Sequence, residues 1–359
     1  MRAVRCGAST LALVMLALLA AGAALPAQAI ESAVALQYHH FGSDTPRSTS
    51  VTVEEFEQHL DYLEEHDFVV WPIEKIVAHF QKGLDIPERC VAITIDDGYV
   101  SVFTEAFPRL YARGWPFTVF LSTEPIELGL DGYMTWEQIK EMREAGIKFA
   151  NHTHTHAHLV RRRDGESEAE WRLRVTDDIR ACRTLLLNEL YASSDIVAYP
   201  YGEYDVALRD LVRELGYVGV GQQSGPIGMH SDFGALPRFP MSGPYADIEQ
   251  FATKVHSLPF PLVSVEPVDP VLAADEARPV LRVTLGLGTY AMDQFACYAG
   301  AQGRIPVRWV DREKRILEVQ APEALPMGRS RYNLTAPHES ENRYFWFSHL
   351  WIRGSAHDD

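Results

Sequence analysis

Between residues 33 and 256, short apolar runs alternate with stretches of helical periodicity about seven times over. No other feature of the chain restricts its fold as strongly. The runs at 34–38, 68–70, 91–95, 117–121, 147–150, 196–198 and 218–220 read as strands. Thr52 with Glu55, Thr135 with Gln138, and Asp205 mark helix starts; Gly114 with Pro116, Gly146 and Gly216 mark stops. Regular strand–helix alternation predicts an α/β chain built on a parallel sheet. At this length it predicts a distorted (β/α)7-type barrel. A doubly wound sheet would need a Gly-rich turn after its first strand, and Tyr38-His39-His40 stands there instead.

After the proline-rich stretch 259–270 the helical periodicity stops. The remaining runs, at 280–284, 304–309, 316–319 and 343–347, predict a small C-terminal all-β domain over 272–359, sandwich-like, behind an α/β domain over 30–260. Its aromatics (Trp309, Tyr344, Phe345, Trp346, Phe347, Trp351) read first as sandwich core and second as a sugar-stacking surface. Residues 1–29 read as a secretory signal: Arg2 and Arg5, an apolar run from 11 to 25, then Ala27-Gln28-Ala29. The expected location is therefore periplasmic or extracellular, with no membrane span after cleavage. Cleavage would leave 31 basic against 49 acidic residues, a net charge of −18. Such a surface repels nucleic acid and anionic lipid and tolerates a neutral or basic polymer. Cys90, Cys182 and Cys297 would remain, without the C-x-x-C spacing of a thiolate zinc site.

Asp96-Asp97-Gly98 directly follows the run 91–95. Adjacent carboxylates at a strand end are costly unless a cation or proton separates their roles, and Gly98 frees the backbone to turn. A solvated Asp-Gly turn is the plain alternative. His152, His154, His156 and His158 place four of the 14 histidines within seven residues after the run 147–150. On a continued strand His152 and His156 would stand roughly 13 Å apart, at about 3.3 Å per residue, too far for one ion. On a helical turn, residues i and i+4 lie about 6 Å apart, which suits two imidazoles on one metal. That spacing admits His152 with His156 or His154 with His158. Tyr199-Pro200-Tyr201-Gly202 follows 196–198, and His39-His40 follows 34–38. All four groups fall at C-terminal strand ends, where a barrel assembles its site.

Thr94-Ile95-Asp96-Asp97-Gly98-Tyr99, then His152-Thr-x-x-His156 with Leu159, then Tyr199-Pro200-Tyr201-Gly202, resemble the polysaccharide deacetylases of carbohydrate esterase family 4, the NodB-homology family, over about residues 33–256. Ala35-Leu36-Gln37-Tyr38-His39 is similar to the branch that acts on poly-N-acetylglucosamine exopolysaccharide. The resemblance implies a metal-dependent N-deacetylase acting on an N-acetylated polysaccharide. It implies Asp97, His152 and His156 as ligands of a divalent ion, most often zinc; Asp96 as general base; His39 as general acid; and the backbone N–H of Tyr201, after Pro200, facing the oxyanion. One position departs from the family: Ala198 stands where an arginine usually steadies the base aspartate. Arg238, before Phe239-Pro240, is the candidate replacement. The family's late Leu-Leu-His pattern is missing, Lys254-Val255-His256 being a poor match, which supports His39 as the acid. The departure at 198 also leaves an alternative: an inactive glycan-binding protein that retains the metal pocket.

Overall fold

The computed structural model describes residues 32–354; the signal-like segment 1–29 lies outside the described residues. Strand Cys90–Asp97 is buried along all eight residues, as a parallel strand covered on both faces must be. Strand Ser32–Tyr38 pairs with it in parallel along one edge. On the other edge, Thr118–Leu121 pairs with residues 94–97. The sheet then continues through Lys148–Asn151, Ile196–Ala198 and Val218–Val220. Val220 forms a parallel bridge to Leu236, and Phe239–Pro240 pairs in parallel with Leu36 and Gln37. The segment 236–240 thus spans the gap between the last strand and the first.

The run at 68–70 does not form a full barrel strand. Val69–Val70 pairs only with Cys90 and Val91, beside the start of the Cys90–Asp97 strand, and lies off the main strand path. Its length explains this, because two paired residues cannot cross a barrel wall. The two capping boxes form as the sequence predicts, on helices Val53–Glu65 and Trp136–Glu144. Asp205 accepts from the Leu208 N–H at the start of Val206–Glu214. Helix Glu168–Leu190 buries Trp171, Val175, Ile179, Cys182, Leu186 and Leu190 at helical spacing. It also ties down the chain around the histidine run. Trp171 Nε1 donates to Leu159 O at 2.8 Å, and Asn151 Nδ2 donates to Ile179 O at 2.8 Å.

The C-terminal residues form a five-stranded and a four-stranded sheet around a core that includes Leu281, Val283, Cys297, Leu317, Tyr332, Phe345 and Trp351. The stretch the sequence presents as a boundary is itself part of these sheets: Leu258–Pro259 pairs with Tyr344–Arg353, and Leu262–Glu266 pairs with Val280–Leu285. Prolines are tolerated there because both strands are edges. Trp346 packs edge-on against Phe239 of the barrel rather than into the sandwich core. Cys90, Cys182 and Cys297 are buried and unpaired. Among the described residues, no helix is long and apolar enough to cross a membrane.

One buried group ties stability to pH. His59 Nε2 donates to Ala246 O at 2.7 Å, so its Nδ1, 3.0 Å from Tyr38 Oη, is left as an acceptor. Burial pushes the His59 pKa down from 6.5 to about 4. The folded state therefore favours neutral His59, and the unfolded chain binds the proton first. Stability from this residue is complete above pH 6.5 and is lost as pH falls towards 4. The loss by pH 4.5 is about 2.5 kcal/mol at ~1.4 kcal/mol per pKa unit. Urea unfolding at pH 7 and 4.5 should show His59→Gln losing less stability than wild type by about that amount.

Candidate metal centre

The turn after strand Cys90–Asp97 aims the two aspartates apart. Asp97 lies in the left-handed region at φ 74° and Gly98 follows at φ 90°. A Cβ at position 98 would stand 2.7 Å from Leu121 Cδ2, so only glycine fits. Asp97 points towards the histidine run, and Asp96 points back into the barrel.

His152 and His156 meet Asp97 Oδ1, each with Nε2 3.2 Å away. Their ring centroids are 4.9 Å apart. A helical turn does not bring them together, as the spacing had predicted. A loop does so, with Thr153 at φ 68° and His156 at φ 55°. Asp178 accepts from the backbone N–H groups of His154 and Thr155, and Thr153 Oγ1 accepts from that of His156. His154 and His158 turn away from the cluster. His154 Nδ1 lies 2.9 Å from Thr123 Oγ1, and His158 Nδ1 donates to Glu203 Oε2 at 2.7 Å.

Asp97, His152 and His156 each place one ligand atom within 4.8 Å of the others. Asp97 Oδ1 and His152 Nε2 are buried and make no hydrogen bond. Buried polar atoms are normally satisfied, so this pair fits a cation that would take both. His152 Nδ1 donates to Ala198 O at 2.8 Å, which fixes the tautomer that leaves Nε2 as a lone-pair donor. Two imidazoles and one carboxylate suit zinc and leave open positions. Burial alone would raise the Asp97 carboxyl, but the imidazoles of His152 and His156, each 3.2 Å from Oδ1, outweigh it and hold the pKa well below the usual range.

Asp96 is fully buried and fully engaged. Arg238 Nη1 donates to its Oδ1 at 2.7 Å and Nη2 to its Oδ2 at 2.8 Å; Gln37 Nε2 adds a 2.6 Å bond to Oδ2. Arg238 is itself completely buried, and Gly221 O and Thr94 Oγ1 accept from it. It rides on the closing segment 236–240, which bridges to Val220, the partner of Ala198 on the neighbouring strand. Burial would raise the Asp96 pKa; the Arg238 charge overcomes this and keeps it low. His39 Nε2 lies 3.9 Å from Asp96 Oδ2. Burial lowers the His39 pKa despite the nearby Asp97 and Asp96 charges.

Tyr201 closes the other side, with its ring 4.6 Å from that of His156. It lies at φ 59° between the buried Pro200 and Gly202. Asp97, Thr153, His156 and Tyr201 thus supply four of the eight non-glycine positive-φ residues among those described. Such strain costs on the order of 1–3 kcal/mol per residue and gathers where function demands it. Sequence reasoning missed Gln37. Its signal was present: it stands near the end of strand Ser32–Tyr38, two residues before His39, and both side chains reach Asp96 Oδ2. It also missed Glu203 and Arg329, which sit beside Tyr201 and carry no motif.

Residues 84–220 match the family model described as polysaccharide deacetylase. Over that span the chain is similar to polysaccharide deacetylase domains. The poly-beta-1,6-N-acetyl-D-glucosamine N-deacetylase of Staphylococcus epidermidis is 28% identical over 192 residues, 48% of this chain and 65% of that protein. The chain therefore spans just under two thirds of that relative's length. The Streptococcus pyogenes deacetylase PplD superposes with a TM-score of 0.56 at 21% identity, covering 63% of this chain and 99% of that one. IcaB from Ammonifex degensii gives 0.55 at 22% identity, covering 63% and 97%. At such identities the superpositions establish the deacetylase fold.

Proposed function

We propose that this chain is an exported, metal-dependent hydrolase that removes N-acetyl groups from an amino-sugar polysaccharide, with zinc as the preferred ion. The reading rests on one observation: a metal-ready Asp97–His152–His156 cluster adjoins a buried carboxylate, Asp96, that Arg238 keeps ionised. A divalent ion held there supplies Lewis acidity, polarising the acetamide carbonyl and acidifying water.

The chain's own groups do the rest. Asp96, ionised and fixed by three hydrogen bonds, takes the proton of the attacking water. The Tyr201 N–H, set by its left-handed backbone, donates to the oxygen that becomes negative. His39 delivers a proton to the departing nitrogen, since an amine leaves poorly without one. Its lowered pKa keeps it neutral in the resting site, so it takes that proton within the turnover, and Asp96, 3.9 Å away, is the adjacent donor. The bidentate Arg238 contact weakens the case for an inactive binding protein, because the base aspartate has its cation despite Ala198.

Acetate release from β-1,6- and β-1,4-linked N-acetylglucosamine oligomers by the zinc-loaded protein tests this reading. The likeness to the Staphylococcus epidermidis protein favours faster release from the β-1,6 series. Tight oligomer binding without release from either series would shift the reading to a non-catalytic glycan-binding protein.

A further inference from the structure

Tyr201 is held from outside its own domain. Arg329 lies on strand Gly328–Pro337 of the five-stranded C-terminal sheet. Its Nη1 donates to Tyr201 O across 128 residues of sequence. Its Nε lies 3.5 Å from Glu203 Oε1, and its guanidinium sits 5.5 Å from the Tyr201 ring centroid. The other Glu203 oxygen accepts from His158. The His158 ring stacks on Tyr201 at 3.7 Å, with planes 5° apart. Arg329, Glu203 and His158 therefore grip Tyr201 at its carbonyl and on its ring.

The grip acts where the backbone needs it. Tyr201 at φ 59° and Gly202 at φ 68° form two successive left-handed residues. At Gly202 a Cβ would stand 2.5 Å from Gln222 Cβ, so the turn is pressed against the strand-end loop behind it. A tyrosine in this conformation needs outside contacts to stay there. A charge-assisted hydrogen bond to its carbonyl is among the stronger ones available. The carbonyl contact holds ψ of Tyr201 and the 201–202 peptide plane, the ring contacts hold its Cα–Cβ bond, and together they keep the residue in the left-handed region that directs its N–H.

We propose that Arg329 is a positioning residue for deacetylation: through the Tyr201 carbonyl it sets the N–H that faces the oxyanion, making the C-terminal β sheets part of the active site. This rests on the deacetylase reading above. The sheets are then more than a sugar-binding appendage, because one of their side chains determines the geometry of the reacting site.

The test compares wild type, Arg329→Ala and Arg329→Lys, with Arg308→Ala as control, since Arg308 pairs with Glu318 on the outer four-stranded sheet. Arg329→Ala should lower kcat for oligomer deacetylation by about 10- to 100-fold with KM within about two-fold, the pattern of a lost transition-state interaction. Arg329→Lys should recover part of that kcat. Zinc stoichiometry and Tm should match the control. Amide hydrogen exchange, measured on metal-free protein, should be faster at Gly202 and Glu203, whose N–H groups close this turn onto Tyr199 O and Pro200 O. A kcat within about two-fold of wild type, a fall that Arg308→Ala reproduces, or unchanged exchange at both amides overturns the proposal. If wild type itself releases no acetate, the deacetylase reading fails, and the exchange comparison still decides whether Arg329 holds the turn.

Discussion

Asp96→Asn is expected to reduce acetate release by about a thousand-fold or more while the protein still binds its metal. General-base catalysis is worth about 10²–10⁴-fold, and the substitution removes the only lone pairs suited to that task. It also disturbs the resting site. Arg238 and Gln37 together aim three donors at the two carboxylate oxygens. An amide would turn its own NH2 towards one of them, so part of the clamp must open. The three ligand atoms belong to Asp97, His152 and His156, so zinc stoichiometry should be unchanged. Retained turnover in this variant would assign the base elsewhere, with His39 the next group to test.

Arg238→Met should have the largest effect on stability. The substitution keeps much of the side-chain volume and removes the cation, leaving Asp96 fully buried with Gln37 as its remaining donor. Breaking a buried ion pair from one side costs about 3–5 kcal/mol, which urea unfolding at pH 7 would measure. The same change should move the acid limb of kcat/KM to higher pH. Burial pushes the Asp96 pKa up and Arg238 holds it down, so without Arg238 the carboxyl loses its charge at a pH where wild type is still ionised. Asp96 stabilises the fold through a depressed pKa. That contribution is present above the unfolded carboxylate pKa and is lost as pH falls through the folded one. The variant should therefore be less sensitive to acid below pH 4 than wild type, although it is less stable at pH 7. An unchanged acid limb would show that Asp96 does not titrate in that limb.

The parts of this fold that the sequence disclosed share a physical cause. Capping boxes at Thr52 and Thr135 are local, so residues three apart are enough to predict them, and both form. The alternation of apolar runs reflects burial on both faces of a parallel sheet, and it locates strand Cys90–Asp97 to within two residues. Placement of Asp97 with His152 and His156 follows from strand ends sharing one face of a barrel. What stayed hidden depends on distance in sequence or on backbone angles. No periodicity predicts that Thr153 and His156 adopt left-handed conformations, so a helical turn looked like the way to join two histidines four apart. Arg238 is visible as a candidate because it precedes a short strand pattern, but its bidentate contact depends on closure by 236–240. Arg329 acts across 128 residues from another sheet, and nothing near it in sequence marks it.

Metal removal and restoration in the acetate-release assay tests the central claim most directly. The protein is stripped with a chelator, assayed on β-1,6-linked oligomers, and titrated with zinc, with Asp97→Ala carried in parallel. The account predicts no release from stripped wild type, recovery that saturates at about one zinc per chain, and no recovery in Asp97→Ala. Full activity in the stripped protein, or equal recovery in both chains, would contradict it.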